Sequence, residues 1–90
     1  QSLIEVSAGL AALQEEWAQS ARYFGIAEAD AQRTGIHRDP ADEAFLAPRI
    51  QAARETLGSD CFVAAEAAGR ALSYENGIEE IRRWLEGGTR

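Results

Sequence analysis

Leu3, Val6, Leu10, Leu13 and Trp17 recur at spacings of three and four, the period that gathers side chains on one stripe of an α-helix. Ser2 stands where an N-cap belongs, and Glu5 three residues later completes a capping box. The stripe continues through Ser20 or Ala21 to Phe24, Ala27 and Ala31, and neither Pro nor Gly interrupts Gln14-Glu15-Glu16. One helix over about 3–33 therefore fits the pattern, as do two helices broken near 14–16. Two is the expectation, since globular helices average about 10–14 residues.

Gly35 suits a left-handed position just past a helix end, and Asp39-Pro40 is an N-cap followed by the first residue of the next helix. Leu46, Ile50, Ala53 and Leu57 mark a third helix to about residue 57. Pro48 lies inside that pattern and removes a backbone donor, so the segment is either kinked or split into a short turn at 41–46 and a helix from 48. Gly58 stops it, Ser59 or Asp60 caps a fourth helix running to about Arg70, and Phe62, Val63, Ala65 and Ala68 form its apolar side. Ser73 is the expected N-cap of a fifth helix, with Glu75 near the positive end of its dipole. Tyr74, Ile78, Ile81 and Leu85 are its stripe and Gly87-Gly88 its end. The pattern predicts an all-α fold of about five helices, its core near Leu13, Trp17, Phe24, Ile50, Leu57, Phe62 and Ile81.

Composition narrows the picture. Ninety residues suffice for one domain with a modest core, burying roughly 60–65% of the surface the unfolded chain exposes. Alanine occurs 18 times, favouring helix, and runs of Val, Ile and Thr that would favour strands are missing. The net charge of −6 argues against a nucleic-acid surface and against a polybasic membrane contact. All nine basic residues are arginine. Cys61 is the only cysteine, which rules out an intrachain disulfide or a cysteine zinc cluster. No apolar run approaches the ~20 residues of a membrane span and no signal-peptide pattern opens the chain, so the expected location is cytoplasmic. Methionine is absent even at position 1, which suggests an excised piece of a longer protein.

Four ordered segments add a resemblance. Ala21-Arg22-Tyr23-Phe24-Gly25-Ile26-Ala27-Glu28-Ala29 is followed by a proline-containing loop and an amphipathic helix ending in Leu57-Gly58. Gly69-Arg70-Ala71-Leu72-Ser73 then leads into the last helix. From about Ile4 to Leu85 this order resembles the C-terminal end of the tetratricopeptide-like region of large bacterial ATPase regulators, related to LuxR-type, winged-helix and adenylate/guanylate-cyclase-linked proteins. The resemblance implies antiparallel helical hairpins that close a repeat array, and a regulatory role in signal transduction or transcription exercised through protein–protein contacts. The chain departs from the family at Gln14-Glu15-Glu16, where a Gly-containing turn is usual, and at Asn76-Gly77, where an acidic-alanine pair is usual. Gly77 costs about 1 kcal/mol of helix propensity against Ala. Neither a phosphate-binding loop nor a basic recognition helix is present, so the family's ATPase and DNA-binding activities are not expected of these residues.

Candidate chemistry is sparse. His37 lies in a loop beside Arg38 and Asp39, without a convergent nucleophile, and reads as a solvated histidine. Cys61, in the first turn of a helix, could be a reactive thiol, but Asp60 opposes that and a half-buried structural cysteine is the simpler reading. Glu15-Glu16, Glu28 with Asp30, and Glu79-Glu80 read as wet helix faces, Glu79 pairing with Arg82 or Arg83. Gly69 suits a close helix approach. Trp17, Tyr74, Trp84 and Arg70 are the candidate interaction surface, Trp17 with a core role as its competing reading. The chain is expected to be a non-catalytic interaction domain without metal or cofactor. Its expected partners are preceding repeats, another protein or a second copy, through an apolar side left exposed. An effector-sensing domain with a cavity lined by Phe24, Phe45, Phe62 and Tyr74 is the alternative.

Overall fold

The computed structural model describes residues 3–35 and 40–87. Five helices follow one another, α1 (Leu3–Leu13), α2 (Trp17–Thr34), α3 (Pro40–Leu57), α4 (Ser59–Arg70) and α5 (Tyr74–Gly87), with no strand among the described residues. The fold is all-α.

The break between α1 and α2 falls where the two-helix expectation placed it, and its geometry explains why no glycine announces it. Glu16 N–H donates to Ala11 O at 2.8 Å and Glu15 N–H to Ala12 O at 3.0 Å. This pair of bonds is a Schellman closure, in which the residue in the Glu15 position adopts left-handed backbone. Glu15 does so at φ 62°, the only described non-glycine residue with positive φ. Left-handed backbone disfavours a side chain by roughly 1–2 kcal/mol. Glu15→Gly is therefore expected to stabilise the fold by about 1 kcal/mol; an unchanged or lower urea midpoint would contradict this account of the turn.

Gly35 closes α2 in left-handed backbone, as anticipated (φ 72°), with its N–H on Ala31 O. Pro40 opens α3; Asp39, His37 and Ser2 lie outside the described residues. Pro48 neither splits nor ends α3, which is assigned as one helix through it. Ala44 and Pro48 are both exposed, so water can take the Ala44 carbonyl that Pro48 leaves without a donor. Gly58, rather than Ser59 or Asp60, is the N-cap of α4, at φ 85° and ψ 157° and without a side-chain cap bond. That region of backbone space is essentially confined to glycine, which is why the stop and the following start share one residue. Ser73 caps α5 as expected, its Oγ accepting from Asn76 N–H at 3.1 Å.

α2 is the hub. It packs on all four other helices, most extensively on α4 and α1, whereas α3 and α4 touch each other far less than α2 touches α4. Two glycines bring α2 and α4 together. A Cβ on Gly69 would lie 2.9 Å from the Arg22 carbonyl carbon and 3.2 Å from Ile26 N. A Cβ on Gly25 would lie 2.9 Å from the Glu66 carbonyl carbon. Backbone therefore meets backbone, confirming the close approach expected of Gly69. Gly77 serves α5 similarly, its missing Cβ leaving room for Ile26 Cγ2 at 2.9 Å.

The core consists of Ile4, Ala8, Ala11, Ala21, Tyr23, Ile26, Ala27, Leu46, Ile50, Ala53, Phe62 and Ile81, with Trp17, Phe24 and Leu57 half-buried against it. Leu13 is a correction. It is 58% exposed, because α1 packs inward through the opposite face. Val63, expected on the apolar side of α4, is likewise exposed, and so is Cys61, expected to be half-buried.

Candidate interaction surface

α1 is apolar nearly all round, with Glu5 its sole charged residue. Its inner face holds Ile4, Ser7, Ala8, Gly9, Ala11 and Ala12, all buried. Small residues suit that role, since they let neighbouring elements approach the helix axis. Ser20 Oγ donates to Ala8 O at 2.8 Å across the α1–α2 contact. The Phe45 ring occupies the space a Cβ on Gly9 would need, and the Arg49 guanidinium lies 4.3 Å from the centroid of that ring. The larger residues Leu3, Val6, Leu10 and Leu13 fall on the other side. Leu3 and Leu13 are 45% and 58% exposed, and Val6 and Leu10 half-buried. A helix that is apolar on every side ordinarily lies buried in a larger core. Here one side is only partly covered by the described residues of the chain.

The four residues expected to form the interaction surface do not form one patch. Trp17 opens α2 and is half-buried against the core. Trp84 lies near the same end of α2: its indole N–H donates to Glu16 Oε1 at 3.0 Å, and its ring meets Tyr23 edge-on at 5.5 Å. Tyr74 and Arg70 sit toward the far end of α2. Tyr74 has Arg33 over its ring at 5.8 Å, and Arg70 lies 3.5 Å from Glu66, 3.8 Å from Glu28 and 3.5 Å from Gln32. Arg70 is thus engaged by its own chain. The outer stripe of α1 was visible in the sequence as a periodic run, but of its residues only Leu13 was singled out, as core.

The α2–α5 seam carries a part-buried ion pair. Arg22 forks onto Glu80 through Nε–Oε2 and Nη2–Oε1, the latter at 2.9 Å, and this hydrogen bonding holds its guanidinium above its ordinary pKa. Tyr23 is wholly buried beside this pair, and its hydroxyl has no hydrogen-bond partner among the described residues. Burial pushes the phenol above its usual pKa, and the Glu80 and Glu16 carboxylates push it the same way. The sign follows. The fold favours the neutral phenol, so its contribution is complete below about pH 10 and is lost as pH rises toward the folded-state value. Tyr23→Phe removes an unsatisfied buried hydroxyl, so it should be neutral or stabilise by up to about 1 kcal/mol at pH 7. It should also lessen the loss of stability above about pH 10. Urea unfolding of both proteins at neutral and alkaline pH checks this; a marked destabilisation at neutral pH would show that the hydroxyl is bonded.

Other chemistry does not converge. Among the described residues no three His, Cys, Asp or Glu side chains stand close enough to hold a metal ion. Glu79 pairs with Arg82 and Arg83, each at 3.3 Å, as expected of a wet helix face. A cleft of about 190 Å³ is lined by Phe24, Leu46, Ile50, Glu43, Gln51 and Arg54, small beside the ~300–1,000 Å³ of ordinary ligand pockets. Of the four aromatic residues expected to surround an effector only Phe24 lines it. Phe62 is fully buried, Phe45 lies on Gly9, and Tyr74 is on the surface. Among the described residues no helix is long and apolar enough to cross a membrane. No family model matches the chain, and neither curated proteins nor solved structures yield a match.

Proposed function

We propose that this chain is a non-catalytic protein-interaction domain whose docking face is the outer stripe of α1. The observation behind this reading is the division of α1 into two apolar faces, the small-residue one buried and the larger one open. Exposing Leu3 and Leu13, with Val6 and Leu10 half covered, forgoes burial free energy of roughly 25 cal/mol per Å² that a docked element would recover. In the finer reading, the domain closes a tetratricopeptide-like array in a bacterial signalling or transcriptional regulator. That reading draws its support from the ordered segments around Ala21–Ala29, Leu57-Gly58 and Gly69–Ser73. The stacking of repeats accounts for a first helix with an apolar outer face. The effector-sensing alternative has less behind it, since its four aromatic residues do not gather around a cavity.

The test is a hydrophobic dye. In dilute solution the chain should enhance anilinonaphthalene sulfonate fluorescence, and Leu10→Glu with Leu13→Glu should remove most of the enhancement at unchanged helicity. Dye binding indifferent to these substitutions would sink the reading. For the finer part, the reading frame upstream of Gln1 should encode further helical repeats behind a nucleotide-binding module; a start codon just ahead of Gln1 would overturn it.

A further inference from the structure

We infer that Asn76-Gly77 is a self-modification site, at which Asn76 deamidates at a rate set by opening of the first turn of α5, and that its isoaspartyl product detaches this turn from α2. The chemistry needs only the chain and water. The Gly77 backbone nitrogen attacks Asn76 Cγ, the Cγ–Nδ2 bond breaks, and ammonia leaves carrying the Gly77 amide proton. A five-membered succinimide remains. Addition of water at Cγ opens it to aspartate. Addition at the Asn76 backbone carbonyl gives isoaspartate instead, in which the main chain runs through the side chain with one extra methylene. Glycine, lacking a Cβ, obstructs ring closure least. Asn76 is the only asparagine of the chain, and it is exposed to the water that both steps require.

The fold restrains this reaction and so ties it to a motion. Gly77 N–H donates to Ser73 O at 2.9 Å, and Asn76 N–H to Ser73 Oγ at 3.1 Å. The attacking nitrogen is thus engaged, and helical backbone at Asn76 keeps it turned away from Cγ. Gly77 is also buried, with Ile26 Cγ2 only 2.9 Å from where a Cβ would stand, so its backbone has no room to swing while docked. Ring closure therefore requires the turn to lift off α2. Helix ends open at lower free energy than the core they adjoin. The later turns of α5 stay anchored by buried Ile81, by Glu80 on Arg22 and by the Trp84 indole on Glu16. Once formed, isoaspartate lengthens the backbone between the Ser73 cap and the Gly77 seat, so the two cannot be regained together. The freed turn carries Tyr74, whose ring the Arg33 guanidinium covers at 5.8 Å. The aspartyl product keeps the backbone and adds a carboxylate at the positive end of the helix dipole, which leaves the turn docked.

Timed incubation of the chain at neutral pH, followed by tryptic mapping, tests this. The peptide Ala71–Arg82 should gain about 1 Da, the change from carboxamide to carboxylate. The gain should be slow in the native protein and fast in urea, where the turn is open. Ser73→Ala should speed the native reaction about fivefold, the population equivalent of a usual N-cap, and leave the rate in urea unchanged. Ser73→Asp, an equally good cap, should keep the parental rate. Ser73 is exposed, so both variants should retain the parent helicity by circular dichroism. The isoaspartyl protein, separated by ion exchange, should unfold at a lower urea midpoint than the parent, and the aspartyl protein should not. Native and urea rates that coincide, or a native rate indifferent to Ser73→Ala, overturn the gating by the turn. A native chain that gains no mass even with Ser73→Ala overturns the site itself. An isoaspartyl protein with the parental midpoint overturns the detachment.

Discussion

Gly69→Ala is expected to destabilise the fold by about 3 kcal/mol, the upper part of the range for overpacking a close contact. Helix propensity alone predicts the opposite sign, a gain of about 1 kcal/mol for replacing an interior glycine by alanine. Geometry decides between them. The added methyl would meet the Arg22 carbonyl, with Ile26 N close by, so relief requires α4 to move away from α2 rather than a side chain to turn. Whole domains are stable by only about 5–15 kcal/mol, and a chain of this size sits low in that range, so the effect is a large share of the total. Gly87→Ala is the control. It too is helical, but nothing lies within 4 Å of its added methyl, and it should be neutral or slightly stabilising. Urea midpoints for both variants provide the comparison; a Gly69→Ala protein more stable than its parent would mean that α2 and α4 do not cross at these two glycines.

Phe62→Ala should cost about 3–5 kcal/mol, the usual range for removing a buried aromatic ring. Phe62 is fully buried near the start of α4. Its ring lies 6.4 Å from that of Phe24 in α2 and 4.3 Å from the Arg54 guanidinium in α3. Three helices therefore lose a shared contact at once. A loss below about 1 kcal/mol in the same measurement would show that the site closes over the cavity and that the ring is not the junction described here.

These two residues and the outer face of α1 play separable roles. Gly69 and Phe62 hold α4 on α2, whereas Leu3, Val6, Leu10 and Leu13 contribute less to the isolated chain than their hydrophobicity suggests. Substitutions at Leu3 and Leu13 should consequently alter association more than stability. This separation is what a docking surface on a formed domain requires.

The helices themselves could be read from the chain because their punctuation is local. Gly35, Pro40, Gly58 and Ser73 act through their own φ, their own missing donor or a cap three residues away. The Glu15 turn was harder to see, since its backbone bonds resemble those of a glycine closure while the residue type gives no sign of it. Periodicity also picked out Ile50 and Ile81 as core, because on α3 and α5 polar residues flank them and leave a single inward choice; on α4 it picked out Phe62 together with Val63, which is exposed. α1 offers no such choice. Both its faces are apolar, so a 3.6-residue period identifies a helix without saying which side turns in. Packing settled it. Ser20 reaching Ala8 O and the Phe45 ring lying on Gly9 both need small side chains where they dock, and the inner face, Ile4 apart, consists of alanine, serine and glycine. Leu3 and Leu13 point outward because backbone proximity on the small face, a property no single helix possesses, outweighs the burial of larger side chains on the other.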